Sequence, residues 1–365
     1  MRAPLIDRRD FIAGAGAAFL AGLAPRAAQA AASADAFFAT AFMDRGGAYG
    51  LALLTERGEI LHRAALPERG HDACVDPATG RVVVFARQPG TFAAIVDRNM
   101  TKPPLTIASV PGRHFFGHGA FSPDGALLYA TENDYDAAAG MVGIYDARDG
   151  FARIGEFPTH GVGPHEILLL ADGRTLAVAN GGIETHPDFG RAKLNIATMK
   201  PSLVFLDRAG GKLLGRHELP PELHQLSIRH MDEDATGAVW FGCQYEGAAS
   251  QLPPLVGKAR PGGELELVGL PEAVLRGFRN YVGSVAVNRA AGAVAFSSPQ
   301  GNCLAVLDAA TGNLRSVASL REVCGIAPEG GGFLATTGAG EVVLPYGATD
   351  EVAGLVFDNH ILRLR

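Results

Sequence analysis

The sequence of 365 residues contains few charged, aromatic and cysteine residues. Charged residues make up 19% and aromatic residues 7%, with a single tryptophan. The 32 lysines and arginines are outnumbered by 38 aspartates and glutamates, which argues against nucleic acid as the main partner because that partner calls for a basic face. With 47% hydrophobic residues, the chain is also too apolar to be disordered.

Several catalytic and cofactor motifs are absent from the sequence. There is no GxSxG, HExxH, P-loop or GxGxxG after a strand. The four cysteines (Cys74, Cys243, Cys303 and Cys324) form no CxxC or CxxCH, which argues against covalent haem and a thioredoxin-like site. Four cysteines allow three disulfide pairings, and the sequence does not rank them.

Residues 1–30 have the pattern of a twin-arginine signal peptide. Arg8-Arg9 is followed at Phe11 by the consensus phenylalanine, and then by a weakly apolar run up to Leu23. Ala28-Gln29-Ala30 fits a small-x-small cleavage site. No later hydrophobic stretch approaches the ~18 residues of a membrane span. We therefore expect export of a folded protein to the periplasm.

Glycine and proline are in excess, with 47 and 22 residues, and they punctuate a repeat. His71, His118 and His165 are 47 residues apart, and each begins a short strand that leads through a turn into a second β-rich segment. Apolar strands that end in aspartate follow, such as those ending at Asp146 and Asp207. About 335 residues divided by seven gives about 48 per unit, a blade-sized period. The sequence thus predicts an all-β fold, a seven-bladed β-propeller of four-stranded antiparallel blades, with residues 31–365 as one domain.

The last blade is expected to combine N-terminal strands with the C-terminal segment 359–364. Two insertions interrupt the repeat, one at 181–201 and one at 246–263. Insertions of this kind map to loops that often carry function.

Polar residues are expected to converge at one mouth of the central channel, because the first strand of each blade lines that channel. The proposed metal ligands are the histidines that begin first strands: His71, His118, His165 and His230. His186, Glu132 and Glu166 are further candidate ligands, and His62, His217 and His360 are interpreted as outer or packing residues. Iron or copper is the cofactor hypothesis. Histidines at a fixed blade position also occur as purely structural hydrogen-bonding residues, so that alternative stays open.

The same mouth could instead be a catalytic pocket. The catalytic candidates are His165, Glu166, Glu132 and Arg229, with one histidine as general base, a glutamate orienting it, and Arg113 or Arg229 stabilising an oxyanion. The ligand-binding candidates at this mouth are Arg113, Asn180, His186, Arg229 and Gln244.

Several blocks resemble an uncharacterised family of twin-arginine-exported propellers. They are Gly117-His118-Gly119-Ala120-Phe121, Gly163-Pro164-His165-Glu166, Thr185-His186-Pro187 and Leu226-Ser227-Ile228-Arg229-His230. The resemblance implies a seven-bladed propeller and a role near iron acquisition, with imelysin-type iron-uptake proteins as partners. It implies no reaction.

A second resemblance is to seven-bladed lactonases, whose motif reads Pro-Arg-His where this chain has Pro164-His165. Three functions therefore remain as hypotheses from the sequence. They are a metal- or ligand-binding accessory protein of an iron-uptake system, a lactonase-like hydrolase or redox enzyme, and a pure interaction scaffold.

Overall fold

The repeated turns explain why the chain folds as short antiparallel strands. The aspartates that end the third strand of several blades accept backbone N–H groups of the following turn: Asp146 from Arg148, Asp207 from Ala209, and Asp308 from Ala310. Such side-chain-to-backbone bonds fix a tight turn and stop the strand. Glycines with positive φ, such as Gly125, Gly173 and Gly211, lie in turns between strands, which accounts for part of the glycine excess.

The computed structural model describes residues 23–97, 102–345, 347, 349–352 and 354–364. In this part of the chain, seven four-stranded antiparallel sheets form the predicted seven-bladed propeller. The N-terminal strands are β1 (Phe37–Asp44), β2 (Tyr49–Thr55) and β3 (Ile60–Ala65). The next two sheets are β4 (Gly70–Val75), β5 (Val82–Ala86), β6 (Phe92–Val96) and β7 (Leu105–Ala108), then β8 (Arg113–Phe121), β9 (Leu127–Asp134), β10 (Ala139–Asp146) and β11 (Ala152–Pro158).

Three further sheets follow in chain order. They comprise β12 (Pro164–Leu169), β13 (Thr175–Asn180), β14 (Ser202–Asp207) and β15 (Leu213–Glu218); β16 (Leu226–Glu233), β17 (Val239–Tyr245), β18 (Val256–Ala259) and β19 (Glu266–Val268); and β20 (Ser284–Asn288), β21 (Ala293–Ser298), β22 (Cys303–Asp308) and β23 (Leu314–Ser319). The sixth has β24 (Val323–Glu329), β25 (Gly332–Thr337), β26 (Glu341–Val343) and β27 (Thr349–Glu351).

The seventh sheet closes the ring. The C-terminal strand β28 (Leu355–Leu364) pairs with β1, giving the order β28-β1-β2-β3. The inner strands β4, β8, β12, β16, β20, β24 and β28 each pack against the next, and β28 packs against β4. The closing blade therefore joins both ends of the described chain, as the sequence predicts.

Helices are few among the described residues. Helix α1 (Pro25–Ser33) packs against β3, and α2 (Glu272–Phe278) precedes β20. Short 3₁₀ turns lie at Pro187–Phe189, Ile196–Thr198 and Pro221–Leu223. Arg8-Arg9 and the apolar run up to residue 22 lie outside the described residues, and the predicted cleavage position after Ala30 falls within α1.

The two predicted insertions differ in the structure. The segment 181–201 is the connection between β13 and β14, as expected of a loop at the channel mouth. The segment 246–263 contains β18, so it is partly the third strand of its blade rather than a pure insertion. Because the segment is rich in glycine and proline, this four-residue and mostly buried strand was not predicted from the sequence.

Candidate metal centre

Five histidines from five consecutive inner strands form a closed ring of side chains in the channel. Neighbouring ring centroids are 5.0 Å apart for His71–His118 and for His118–His165, 4.7 Å for His165–His230, 4.6 Å for His230–His360 and 4.7 Å for His360–His71. All five residues are buried, with at most 9% exposure. The four histidines proposed as ligands from sequence are thus brought together, and a fifth joins them.

Bulges in the inner strands aim these side chains. The pairing register shifts between Gly70 and Ala73 in β4, Phe115 and Gly119 in β8, and Pro164 and Glu166 in β12. It also shifts at Ile228/His230 in β16 and between Phe357 and Ile361 in β28. A bulge bends a strand and redirects a side chain, so each histidine points inward beside its neighbours.

Glycine at position 117 is required by this close packing. Its φ is +104°, a backbone conformation that L side chains rarely adopt, and a Cβ there would lie 2.6 Å from Cδ2 of His71. The tight Gly-His-Gly sequence of β8 therefore lets His71 and His118 approach each other.

Three carboxylates hold three of the five rings, and each comes from the preceding blade. Nδ1 of His118 donates to Asp72 at 2.9 Å, Nδ1 of His230 to Glu166 at 2.9 Å, and Nδ1 of His71 to Asp358 at 3.1 Å. A carboxylate on one ring nitrogen fixes the tautomer and leaves the other nitrogen as a lone-pair donor.

Three buried ring nitrogens in the cluster have no hydrogen-bond partner among the described residues: Nε2 of His118, Nδ1 of His165 and Nε2 of His360. For His165 the cause is visible in the sequence. Asp72 directly follows His71 and bonds the histidine of the next blade, and Glu166 after His165 does the same. After His118 that position is Gly119, so the histidine of the next blade, His165, receives no carboxylate. Each unpaired buried polar atom costs about 1–3 kcal/mol.

Burial makes the rings hard to protonate. It lowers the pKa of His71 to about 4, and it lowers the pKa of His165, His230 and His360 well below the usual range. Neutral imidazole is the form that binds metals. In the free protein His71, His165, His230 and His360 are therefore neutral imidazoles at neutral pH.

Two of the three carboxyl groups that bond the rings have opposite pKa shifts. Burial disfavours the Asp72 anion, but the nearby His360 and the hydrogen bond from His118 hold its pKa at about 2. Burial and the Asp72 charge raise the pKa of Glu166 well above its usual range. The pKa values of these two carboxyl groups are therefore shifted in opposite directions.

Two overlapping sets of side chains offer ligand atoms within 4.8 Å of one another. One set is His118, His165, Glu166 and His230, and the other is His71, His118 and His360. Two ligands about 2.1 Å from one ion lie at most about 4.2 Å apart, so small side-chain rotations would complete either set. His118 belongs to both sets.

The remaining predicted site residues are placed elsewhere. Glu132 is buried inside its blade, where it accepts from Tyr145 and Arg153 and lies 3.7 Å from Arg113. His186 pairs with Asp136 at 3.3 Å in the β13–β14 connection. Neither Glu132 nor His186 belongs to the ligand sets found among the described residues.

Of the other ligand-binding candidates, Arg229 and Gln244 line a cavity and Asn180 does not. Asn180 is buried, and its Nδ2 donates to the carbonyl of Thr159 and to the hydroxyl of Ser202. Arg229 and Gln244 line a cavity of about 210 Å³ that also contacts His165. The structure therefore joins Arg229, Gln244 and His165, and holds Asn180 in a blade-to-blade contact.

The interpretation of His360 as an outer or packing residue is wrong. It lies on β28, which is the inner strand of the closing blade, and it completes the histidine ring. Sequence reasoning also missed the carboxylates Asp72 and Asp358. The available signal was position, since Asp72 and Glu166 both follow a repeat histidine directly.

All four cysteines are free thiols in this structure, so none of the three pairings allowed by the sequence is formed. Among the described residues, no helix has both the length and the apolar character needed to cross a membrane.

No curated protein matches the sequence. Among solved structures, hydrazine synthase of Kuenenia stuttgartiensis is similar, with a TM-score of 0.59 and 14% identity over 86% of this chain and 94% of that chain. At this identity the likeness shows the propeller fold alone. A family model described as "protein of unknown function (DUF1513)" matches residues 64–364. The chain therefore belongs to the DUF1513 family.

Proposed function

We propose that this protein is a metal-binding propeller that holds a first-row transition ion in its histidine ring. The observation that carries the proposal is the set of three unpaired, buried ring nitrogens in one cluster, on His118, His165 and His360. Three other ring nitrogens are held by carboxylates in the arrangement typical of metal-bound histidine.

A purely structural role explains this cluster less well. Structural histidines in propellers use their ring nitrogens to bond a neighbouring strand or turn, and buried polar groups are normally paired. Here three rings bond a carboxylate of the neighbouring blade, but three buried ring nitrogens have no partner among the described residues, and each of them costs free energy. A cation at the centre would pair those nitrogens and offset that cost. Imidazole ligands suit iron, copper and zinc, and iron or copper is the proposed cofactor.

The cellular role is part of the same proposal. The twin-arginine pattern at Arg8-Arg9 supports export to the periplasm, and the resemblance of the sequence blocks supports an accessory role in iron uptake beside imelysin-type partners. Twin-arginine export of folded protein is compatible with loading the metal before transport.

Metal analysis of protein exported through its own twin-arginine route tests the proposal. We expect about one iron or copper ion per chain, and a higher thermal midpoint when that ion is added to chelator-treated protein, because a ligand that binds only the native state stabilises it. Less than ~0.1 ion per chain, together with an unchanged midpoint on adding iron, copper or zinc, would refute a metal centre.

A lactonase-like hydrolase is the second candidate, and the cavity beside His165 and Arg229 favours it. Its weakness is the orientation of the base: Glu166 bonds His230, and Nδ1 of His165 has no partner among the described residues. A panel of lactones and esters distinguishes the two candidates, because a metal-binding accessory protein gives no turnover above buffer.

A further inference from the structure

A strongly cationic cavity adjoins the histidine ring at the channel mouth. Its volume is about 210 Å³, and its wall includes His165. Four cationic side chains from three parts of the chain line it: Arg87, Arg191, Lys193 and Arg229. Three amide side chains, Gln88, Gln244 and Gln300, add further hydrogen-bonding groups. The cavity is therefore rich in donors.

The loop 181–201 forms much of this wall and is tied in place. Nε2 of Gln88 donates to the hydroxyl of Thr185 at 2.9 Å, and Nδ2 of Asn133 donates to the carbonyl of Thr185 at 3.2 Å. Lys193 forms an ion pair with Glu246. These contacts from three blades fix the loop over the mouth.

The positive charge of the cavity is only partly neutralised. Lys193 pairs with Glu246, and Arg87 lies 3.8 Å from Asp358. No carboxylate of the described residues forms a salt bridge with Arg191 or Arg229. Cations crowded in this way attract an anion.

Buried donors in the cavity also lack partners. Ser227 is fully buried and lines the cavity, yet its hydroxyl has no hydrogen-bond partner among the described residues. The buried Nε of Arg229 likewise has no partner in the part of the chain that the structure describes. Both residues lie on β16, Ser227 three residues and Arg229 one residue before His230. Unpaired donors beside excess cations are matched by a ligand with several oxygen acceptors.

Two glycines keep this space open. A Cβ on Gly181 would lie 2.7 Å from Oγ of Ser227, and a Cβ on Gly163 would lie 2.8 Å from the carbonyl oxygen of Ile183. Side chains at either position would therefore crowd the wall beside Ser227. A water occupies about 30 Å³ of liquid volume, so the cavity has room for several waters or one small organic molecule.

We propose that this cavity binds a small organic anion with two or more carboxylate groups. Arginine forks pair bidentately with carboxylates, and donors from several segments suit an anion that is extended rather than compact. Inorganic phosphate shares the charge and the acceptor oxygens, and the test below separates it from the carboxylates. This site goes beyond the proposed metal function and does not depend on it.

The test is a titration of chelator-treated, full-length protein with citrate, succinate, phosphate and acetate at constant ionic strength. Calorimetry and thermal midpoints are the measurements. We expect saturable binding of citrate or succinate, a rise in midpoint, and at least tenfold weaker binding of acetate and phosphate. Equal effects of all four salts, or tightest binding of phosphate, would overturn the polycarboxylate assignment.

The variant for this test is Arg191→Gln, because Arg191 is exposed on a loop and its loss leaves the core intact. We expect at least a tenfold loss of citrate affinity. Arg148→Gln is the matched control, since Arg148 is an exposed arginine outside the cavity lining, and it should bind citrate as the parent does. Equal citrate affinity in both variants would refute the site. The titration uses metal-free protein and the metal analysis uses chloride buffer, so either proposal can fail alone.

Discussion

Nδ1 of His230 donates to the Glu166 carboxylate of the neighbouring blade across 2.9 Å, and both residues are buried. The same relationship links Asp72 to His118 and Asp358 to His71, so three blade junctions each carry one histidine–carboxylate pair. These pairs orient the rings, while three other buried ring nitrogens of the cluster have no partner within the described parts of the chain. The arrangement leads to predictions that separate a metal centre from a packing cluster.

Replacing Glu166 should weaken metal binding without removing a fold element. In Glu166→Gln the amide still contacts His230 but cannot ionise, so it can neither ligate the ion as a carboxylate nor support a metal-bound His230, and we expect a loss of metal affinity of at least the 10–100-fold typical of an outer carboxylate. Competition with a chromophoric chelator measures the affinity. Glu272→Gln, on the exposed face of α2, is the matched control and should leave the affinity unchanged. Equal affinities in both variants would place Glu166 outside the metal site.

His118 is the single residue shared by both candidate ligand sets. His118→Ala should therefore reduce metal affinity by more than the ~100-fold upper range for outer-sphere changes. His217→Ala is the control, because His217 lies on the outer strand β15 and its ring contacts the carbonyl of Arg260. Circular dichroism of both metal-free variants checks the fold. A metal content in His118→Ala equal to that of the control would contradict the ring as the binding site.

The sequence predicted the seven blades because the 47-residue repeat and the turn aspartates are local signals. It also predicted four of the five ring histidines, since each begins a repeat. His360 was missed because it lies outside that pattern, on a strand that reaches the ring only by pairing with β1. The hydroxyl of Thr40, which is 320 residues away in sequence, donates to the His360 carbonyl at 2.7 Å.

Bulges explain the other differences between sequence and structure. A strand alternates its faces, so a one-residue shift decides whether a side chain enters the channel or the blade. Glu132 lies on β9, the second strand of its blade, opposite the start of the bulge in β8, and its carboxylate faces Arg153 within the blade. His165 lies at a bulge in β12 and enters the ring. The sequence alone does not show where such shifts occur.

The metal-free protein should lose stability on acidification. The pKa of His71 falls from 6.5 to about 4 on folding, so the unfolded chain binds more protons between these values and stability drops as pH falls through this window. At 1.36 kcal/mol per pH unit, the loss for this residue is about 2 kcal/mol by pH 5 and about 3 kcal/mol once the pH falls below 4. His165, His230 and His360 act in the same direction, whereas the raised pKa of Glu166 opposes them.

Urea unfolding at pH 7.5 and pH 5 measures this effect. His71→Gln keeps a side chain that can donate to Asp358 but removes the titrating ring, so its free energy of unfolding should depend less on pH. His217→Gln is the control and should follow the parent. An identical pH dependence in His71→Gln and the parent would show that His71 is not buried as a neutral ring.

Metal and anion binding should reinforce each other, because His165 belongs to the ring and also lines the cationic cavity. An ion bound to the ring nitrogens adds positive charge beside the cavity. This charge favours the binding of an anion in the cavity. Linkage requires that citrate tighten metal binding by the same factor by which the metal tightens citrate binding, with couplings typically between about 5- and 150-fold. Titrations in both orders measure the two factors. Arg191→Gln should reduce the coupling while metal affinity in chloride buffer stays at the parent value. Equal citrate affinity with and without metal would show that the ring and the cavity act independently.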